Sequence, residues 1–319
     1  MALEQAVAYA KKANVGSIGS VGLHYDEHNR RIKGIYGKLI CKKVDLEELF
    51  LKVADFESKN PSATRTTVRA FVRKGLIDGI SKVAKFEVEA KMPADRAIKG
   101  FDLVYFGANK PERMPDAETT KNEIENIRYV LSSVSPIPQQ KAFERVESCG
   151  YRICFSAQGK EDIRTLLNLY SEAYAKYTFE INEDTINYML SNGNRVVLAR
   201  NVEGKIVSVL IAEGCSFEID GRLVRLFELS DFATFKAERG KGLITALQIA
   251  AINLIRSIYP EALIYAEDRA PWLPVLKSSR EAGMEYAGRL PFHCVLVSDR
   301  NFNYQQNYEY ESLQVFYAK

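Results

Sequence analysis

A mixed-sheet α/β fold, with helices packed on the sheet, is the class this sequence predicts, and three observations predict it. Strand-like and helix-like stretches follow the order β-α-β-β-β-α-β-α-β-β across the second half of the chain. Two tight turns, Asn201-Val-Glu-Gly204 and Asp220-Gly221, lie between apolar runs of strand character. A basic glycine turn, Arg239-Gly-Lys-Gly242, joins an apolar strand to a long apolar-faced helix.

The first half mixes both element types. Val21 to Tyr25 and Ile32 to Cys41 read as a hairpin around the turn-rich tetrad Asp26-Glu-His-Asn29. Leu46 to Glu57 and Thr66 to Ile77 read as helices, and Val83 to Ala90 and Phe101 to Phe106 as strands. Nothing here marks a nucleophile or a phosphate loop. His24-Tyr-Asp-Glu-His28 lacks the H-E-x-x-H order of a metal-binding helix, and a hairpin tip does not put two histidines on one helix face, so no metal is expected.

Two proline-bearing stretches, Gly107 to Asp116 and Ser132 to Gln140, punctuate the middle. Between them Ile124, Ile127 and Val130 recur at helical spacing on the polar stretch Ala117 to Leu131. The expected division is an N-terminal α/β domain over 1–116, a helical linker over 117–140 and a second domain over 141–319.

In that second domain, Tyr151 to Ser156 reads as a strand and Glu161 to Tyr177 as a helix with Ile163, Leu166, Leu167, Tyr170 and Tyr174 on one face. Strands are expected at Arg195 to Arg200, Ile206 to Glu213, Phe217 to Ile219 and Leu223 to Thr234. A helix from Gly242 to Tyr259 stripes Leu243, Leu247, Ala250, Ala251, Leu254 and Ile258, with Pro260 stopping it. A strand (Ala262 to Ala266), a helix from about Trp272 to Ala282 and two final strands complete the chain.

Composition narrows the function. With 46% hydrophobic and 27% charged residues, the 319-residue chain has the balance of a soluble globular protein. A net charge of +3 argues against nucleic acid as the main partner. Five cysteines are scattered, odd in number and free of C-x-x-C spacing, which points to a reducing cytoplasm. No run approaches the ~18 apolar residues that cross a bilayer, and the N-terminus lacks a signal-peptide core, so no membrane association is expected.

The chemistry concentrates in Glu228-Leu-Ser-Asp-Phe-Ala-Thr-Phe-Lys-Ala-Glu-Arg239-Gly-Lys-Gly-Leu-Ile244. Two glycines flanked by Arg239 and Lys241 at a helix start expose unpaired backbone N–H groups beside the positive end of the helix dipole, which suits a phosphate or pyrophosphate. The spacing is neither a P-loop nor a G-x-G-x-x-G fingerprint.

This turn, in that element order, resembles the acetyl-CoA pyrophosphate loop of the GCN5-related N-acetyltransferases. Tyr177-Thr-Phe-Glu-Ile, Glu228-Leu-Ser-Asp-Phe-Ala-Thr234, Arg239-Gly-Lys-Gly-Leu243, Arg269-Ala270, Ala282-Gly-Met-Glu-Tyr286 and Glu311-Ser-Leu-Gln-Val-Phe-Tyr317 are similar to the β-lysine N-acetyltransferases of that superfamily. The likeness covers about Tyr151 to Tyr317, and a weaker one reaches His24, Asn29-Arg30 and Phe86-Glu-Val-Glu-Ala-Lys-Met-Pro93. It implies the superfamily's fold in the C-terminal half, with a degenerate relative of it in the N-terminal half. It also implies acetyl transfer from acetyl-CoA to the amine of a small, lysine-like molecule.

Amide formation from a thioester needs a held thioester, a neutral amine and a stabilised oxyanion. Backbone N–H groups of Phe232, Ala233 and Thr234 would pair with pantetheine if their strand splays from its neighbour. Those of Arg239, Gly240, Lys241, Gly242, Leu243 and Ile244 would hold the pyrophosphate. An alkylammonium titrates near ~10.4, so a carboxylate must take its proton, directly or through water. Glu228 is the first candidate and Asp231 the second; exposure on an alternate strand face is the other reading of Glu228. The superfamily's usual tyrosine acid points to Tyr286 or Tyr265.

Arg269 is a candidate for the acceptor carboxylate or a CoA phosphate. Two departures from the β-lysine enzymes fall on the acceptor side: Phe292-His293 replaces paired asparagines, and a polar segment, Asp299 to Tyr310, precedes the last strand. They predict an acceptor with a larger or less polar body, whose cationic end Asp299, Glu309 or Glu311 would attract. A third departure is Ile244 at the last position of the loop signature. Two other functions stay open, a non-catalytic CoA-binding module and an enzyme acting on a protein or peptide amine. A homodimer stays open as the assembly.

Overall fold

The computed structural model describes residues 22–114, 117–157, 159–177, 180–191, 194–295, 297–298 and 310–319. The chain opens with strand β1 (Gly22–Asp26), paired antiparallel with β2 (Arg31–Ile35). Asp26 closes this hairpin, its carboxylate accepting the backbone N–H of Asn29 at 3.1 Å and the Asn29 amide at 2.9 Å. Helix α1 (Lys43–Lys59) crosses to β3 (Arg65–Arg73), parallel to β2. β4 (Lys82–Val83) and β5 (Phe86–Pro93) follow, and β6 (Phe101–Asn109) pairs antiparallel with both β5 and β3.

Helices α2 (Ala117–Ser133) and α3 (Gln139–Ser148) lead into β7 (Arg152–Cys154), α4 (Gly159–Ala173), β8 (Tyr174–Lys176) and α5 (Glu183–Leu190). Strands β9 (Arg195–Arg200), β10 (Ile206–Ile219) and β11 (Arg222–Thr234) form an antiparallel meander. Helix α6 (Leu243–Ile258) crosses to β12 (Leu263–Arg269), parallel to β11, and α7 (Leu273–Glu281) precedes β13 (Glu285–Cys294), β14 (Val297–Ser298) and β15 (Glu311–Ala318).

One sheet runs through both halves in the order β1-β2-β3-β6-β5-β13-β15-β12-β11-β10-β9-β7. The N-terminal series β1-β2-β3-β6-β5 repeats the series β10-β11-β12-β15-β13 strand for strand. Each has a hairpin, a parallel pair bridged by a helix, and two further antiparallel pairings. The two series meet where β5 and β13 pair antiparallel at Ala90 and Gly288. A Cβ on Gly288 would lie 2.1 Å from the Glu89 carbonyl, so only glycine permits the seam. The expected division at 1–116, 117–140 and 141–319 therefore does not divide the sheet.

Strand alternation gives this sheet two different faces. On one, Val68, Ala70 and Val72 of β3 with Val104 and Phe106 of β6 pack under α1. Further along, Phe227, Leu229, Ile264 and Ala266 pack under α6, whose nearly all-round apolar surface is also covered by α3 and α7. The other face curls on itself. Ile35, Phe71 and Leu103 from the N-terminal half share a core with Phe217, Leu226, Leu263 and Val315 from the C-terminal half. Asp220 at the β10–β11 turn accepts the Leu39 N–H at 3.0 Å and ties the curl shut.

Several elements differ from the sequence reading. Thr66 to Ile77, read as a helix, is mostly strand β3. The alternation of Arg65, Thr67 and Arg69 with Val68, Ala70 and Val72 is broken by Thr66 on the α1 side and by Phe71 on the curled face, which obscures the two-residue period. The break expected between Glu213 and Phe217 is absent, since β10 is continuous. α4 stops at Ala173, ahead of Tyr177, and α5 occupies a stretch to which the sequence reading assigned no element. The end of the Ser132 to Gln140 linker already begins α3.

Candidate active site

The parallel pair β11–β12 holds register only from Leu226–Leu263 to Glu228–Tyr265. Beyond that point β11 continues to Thr234 and β12 to Arg269 without pairing to each other. A cavity of about 1080 Å³ passes through this splay. Its helix-side end is lined by Arg239, Gly240, Gly242 and Leu273, and its curled-face end by Glu228, Glu267, Lys33 and Arg69.

At the helix-side end, Gly240 and Gly242 both adopt left-handed φ angles, +80° and +78°. Gly242 is the N-cap of α6, with no side chain capping the helix and no acidic residue in its first turn. A Cβ on Gly240 would meet nothing within 4 Å. The N–H groups of this helix start are thus left to an external acceptor. Arg145 of α3, which sequence reasoning missed, reaches over the loop and donates to the Gly240 carbonyl at 3.1 Å.

Arg239 lines the cavity and donates to the Thr234 carbonyl at 3.2 Å. Lys241, expected beside the phosphate, turns away instead: its Nζ pairs with Glu238 at 2.5 Å and donates to the Tyr151 hydroxyl oxygen at 2.5 Å. The Glu238 hydrogen bond raises the Lys241 pKa. Leu243 is buried in the core, and both it and Ile244 line the cavity.

A β-bulge interrupts β11 between Ser230, opposite Ile211, and Ala233, opposite Val209. Asp231 takes a left-handed φ of +51° there. Tyr170 donates to the Asp231 carbonyl at 2.9 Å and Tyr174 to the Phe232 carbonyl at 2.6 Å. Because a trans peptide sets N–H opposite C=O, the N–H groups of Phe232 and Ala233 point away from these tyrosines. Phe232, Ala233 and Thr234 all line the cavity. The Asp231 carboxyl accepts from Tyr177 and shares a hydrogen bond with Glu213; burial, then the Glu213 charge, push its pKa well above the usual carboxylate range. Asp231 is thereby a protonated partner rather than an open base.

Glu228 is half-buried on the curled face. Its Oε2 accepts the Tyr265 hydroxyl at 3.0 Å, and the Tyr265 oxygen accepts Arg69 Nη1 at 2.5 Å. Burial and the neighbouring Glu267 and Glu213 carboxylates push Glu228 up to about 8, against the opposing pull of Arg69 and Tyr265. Glu267 accepts the Tyr105 hydroxyl at 3.2 Å and lies 3.7 Å from His293 Nε2. Arg65 Nε donates to His293 Nδ1 at 3.2 Å, which leaves the imidazole proton on Nε2. Burial, then Arg31 and Arg65, hold the His293 pKa well below its ordinary value, so the ring is neutral.

The other sequence candidates divide. Arg269 and Glu311 line up as a buried ion pair, Nε to Oε2 at 2.7 Å, with Arg269 also 5.1 Å from the Trp272 ring centre. They neutralise each other rather than offering charge to an acceptor. Tyr286 does not border the cavity; its hydroxyl donates to Gln314 at 2.9 Å. Phe292 is buried outside the cavity, its N–H on Ser312 Oγ, whereas His293 borders it. Asp299 and Glu309 lie outside the described residues. Among the described residues no cluster of His, Cys, Asp or Glu could hold a metal ion.

Glu213 and Glu267 stand on the strands that flank Glu228, Glu213 as its cross-strand partner, whereas Arg69 reaches it from β3 only because the sheet curls; the sequence reading marked none of the three. Tyr174 and Tyr177 were visible only as core-like aromatics at helical spacing.

Neither a protein-family model nor a curated protein sequence matches the chain. Among solved structures, the chain is similar to Arabidopsis thaliana NAA60 in complex with a bisubstrate analogue, at 14% identity and a TM-score of 0.41, over 52% of this chain and 97% of that one. It is similar to the ribosomal-protein-S18-alanine N-acetyltransferase of Escherichia coli, at 16% identity and a TM-score of 0.38, over 52% and 92%. A third is the Vibrio cholerae spermidine N-acetyltransferase with CoA and spermine, at 16% identity and a TM-score of 0.39, over 52% and 94%. The functional reading therefore rests on the cavity's own geometry.

Proposed function

We propose that this protein is an acetyl-CoA-dependent N-acetyltransferase acting on a small amine or amino acid. The observation that carries the reading is the splay of β11 from β12, which joins an uncapped glycine helix start to a carboxylate through one cavity. The N–H groups of Gly242, Leu243 and Ile244, with Arg239 and Arg145 beside them, suit a pyrophosphate. The exposed edge of β11 at Phe232 to Thr234 suits the amides of a pantetheine arm. Acetyl-CoA would supply a thioester carbonyl at the throat of the splay.

Glu228 takes the proton of the acceptor ammonium, and its raised pKa brings it closer to the amine's, which favours transfer near neutral pH. The freed nitrogen lone pair forms the C–N bond, the N–H groups freed by the bulge stabilise the oxyanion, the C–S bond breaks, and the proton that the nitrogen sheds in becoming an amide passes through water to the departing thiolate. Glu213, Glu228 and Glu267 line the cavity together with Arg31, Lys33 and Arg69. This bipolar lining supports an acceptor with a cationic amine and an anionic end, a β-lysine-like amino acid among them.

The test is acceptor-dependent CoA release from acetyl-CoA across β-lysine, lysine, cadaverine, spermidine and a short peptide. Transfer is expected with the amino acids ahead of the diamine and polyamine. Acetyl-CoA binding with no transfer to any of them would reduce the protein to a CoA-binding module, and preference for the peptide would assign a protein amine.

A further inference from the structure

The N-terminal half does more than extend the sheet. Its parallel pair β2–β3 stays in register from Arg31–Arg65 to Ile35–Arg69 and continues through a Tyr36 N–H to Arg69 carbonyl bond of 2.8 Å, with no splay. The start of α1 is filled by its own Asp45, whose Oδ2 accepts the N–H groups of Cys41 at 2.7 Å and Lys42 at 2.8 Å. Both features that open the C-terminal site are closed here. What this half offers instead is the inward face of β3.

We propose that Arg69, from the N-terminal half, is a positioning residue for Glu228, acting through Tyr265. The proposal rests on the reading of Glu228 as the base. A phenol has one proton to give. With Arg69 Nη1 donating to the Tyr265 oxygen at 2.5 Å, that proton is directed to Glu228 Oε2 at 3.0 Å. One Glu228 oxygen is thereby fixed, and the other is left for the acceptor. The guanidinium is itself held between the Tyr105 and Tyr265 rings, 5.8 Å from each centre. Among the described residues no carboxylate lies within ion-pair distance of Arg69, so its charge acts across the cavity on Glu228 and Glu267.

The charged and titratable groups around Glu228 come from six strands: Lys33 on β2, Arg69 on β3, Tyr105 on β6, Glu213 on β10, Asp231 on β11, and Tyr265 and Glu267 on β12. Two of them, Glu267 and Glu213, are carboxylates that oppose ionisation of Glu228. Arg69 is the cation wired to it by hydrogen bonds. Removing that cation should make Glu228 harder to ionise, moving the acid limb of activity to higher pH.

The experiment compares wild type with Arg69→Gln, Arg69→Lys and Tyr265→Phe. The first readout is the pH titration of the Glu228 carboxyl in the protein without ligands, taken as the infrared difference against Glu228→Gln. The second is the pH dependence of kcat/KM with the best acceptor. Arg69→Gln should raise the Glu228 titration midpoint by about one pH unit or more, costing about tenfold in kcat/KM below it, with acetyl-CoA affinity unchanged. Arg69→Lys should restore most of the midpoint, and Tyr265→Phe should shift it in the same direction as Arg69→Gln.

An unmoved midpoint in Arg69→Gln overturns the proposal, even if activity falls, because loss of packing alone would lower activity without moving a titration. The carboxyl titration needs no acceptor. A protein that acetylates nothing but shows the shift would sink the transferase reading and leave the Arg69–Glu228 coupling standing.

Discussion

At the scale of the single residue, Glu228 is the proposed base, and its setting fixes how it should respond to pH. Its pKa is raised to about 8 by burial and by Glu267 and Glu213, so the carboxylate that accepts a proton is depleted as pH falls. kcat/KM should therefore rise with pH through about 8 and be lost on the acid side, at a pH well above that where an unshifted carboxylate base would lose it. Glu228→Gln should lower kcat by about 10²–10⁴-fold, the usual contribution of a placed acid or base, and flatten that limb. Acetyl-CoA affinity should stay as it is. A variant with the parent's kcat and the parent's limb would remove Glu228 from the reaction. Asp231 is a poor substitute, because it is bound to Tyr177 and shares its proton with Glu213.

At the scale of the element, the start of α6 is the feature to break. Gly240 and Gly242 hold left-handed backbone, where a side chain costs roughly 1–2 kcal/mol per residue. A Cβ on Gly242 would also come within 3.1 Å of Arg145 Nε. Valine at both positions should abolish acetyl-CoA binding by calorimetry while the circular dichroism spectrum stays that of the parent. Retained affinity in the double variant would move the pyrophosphate elsewhere. Lys241 gives a contrast within the same turn: its Nζ is committed to Glu238, so Lys241→Ala should weaken acetyl-CoA binding far less than the glycine pair does.

At the scale of the whole molecule, two series of strands with one topology are joined edge to edge, but only one is opened for a ligand. The N-terminal parallel pair stays zipped and its helix start is capped by Asp45. One acetyl-CoA per chain is the expected stoichiometry, measured by calorimetry at saturating ligand. Two equivalents would show that the Asp45 cap yields to an anion. The two series still need each other, since Glu213, Glu228 and Glu267 come from β10, β11 and β12 and Arg31, Lys33 and Arg69 from β2 and β3.

The sequence by itself determined the class of the fold and marked the glycine turn proposed to hold an anion. Both are written in local patterns: apolar periodicity for the strands and for α6, and a glycine pair at a helix start. It also named Glu228, because a carboxylate on a strand entering that turn is a local fact. Only the tertiary structure decided which candidates face the cavity. Arg269 with Glu311, and Lys241 with Glu238, find partners before any ligand, and no local pattern records a pairing between distant strands. Glu213 and Glu267 flank Glu228 from the neighbouring strands, whereas Arg69 meets it only because the sheet curls, and Arg69 was hidden in a strand whose inward face is largely polar. Burial of polar side chains against a cavity removes the hydrophobic signal that makes a strand legible, so the site-forming strands are the ones a sequence shows least clearly.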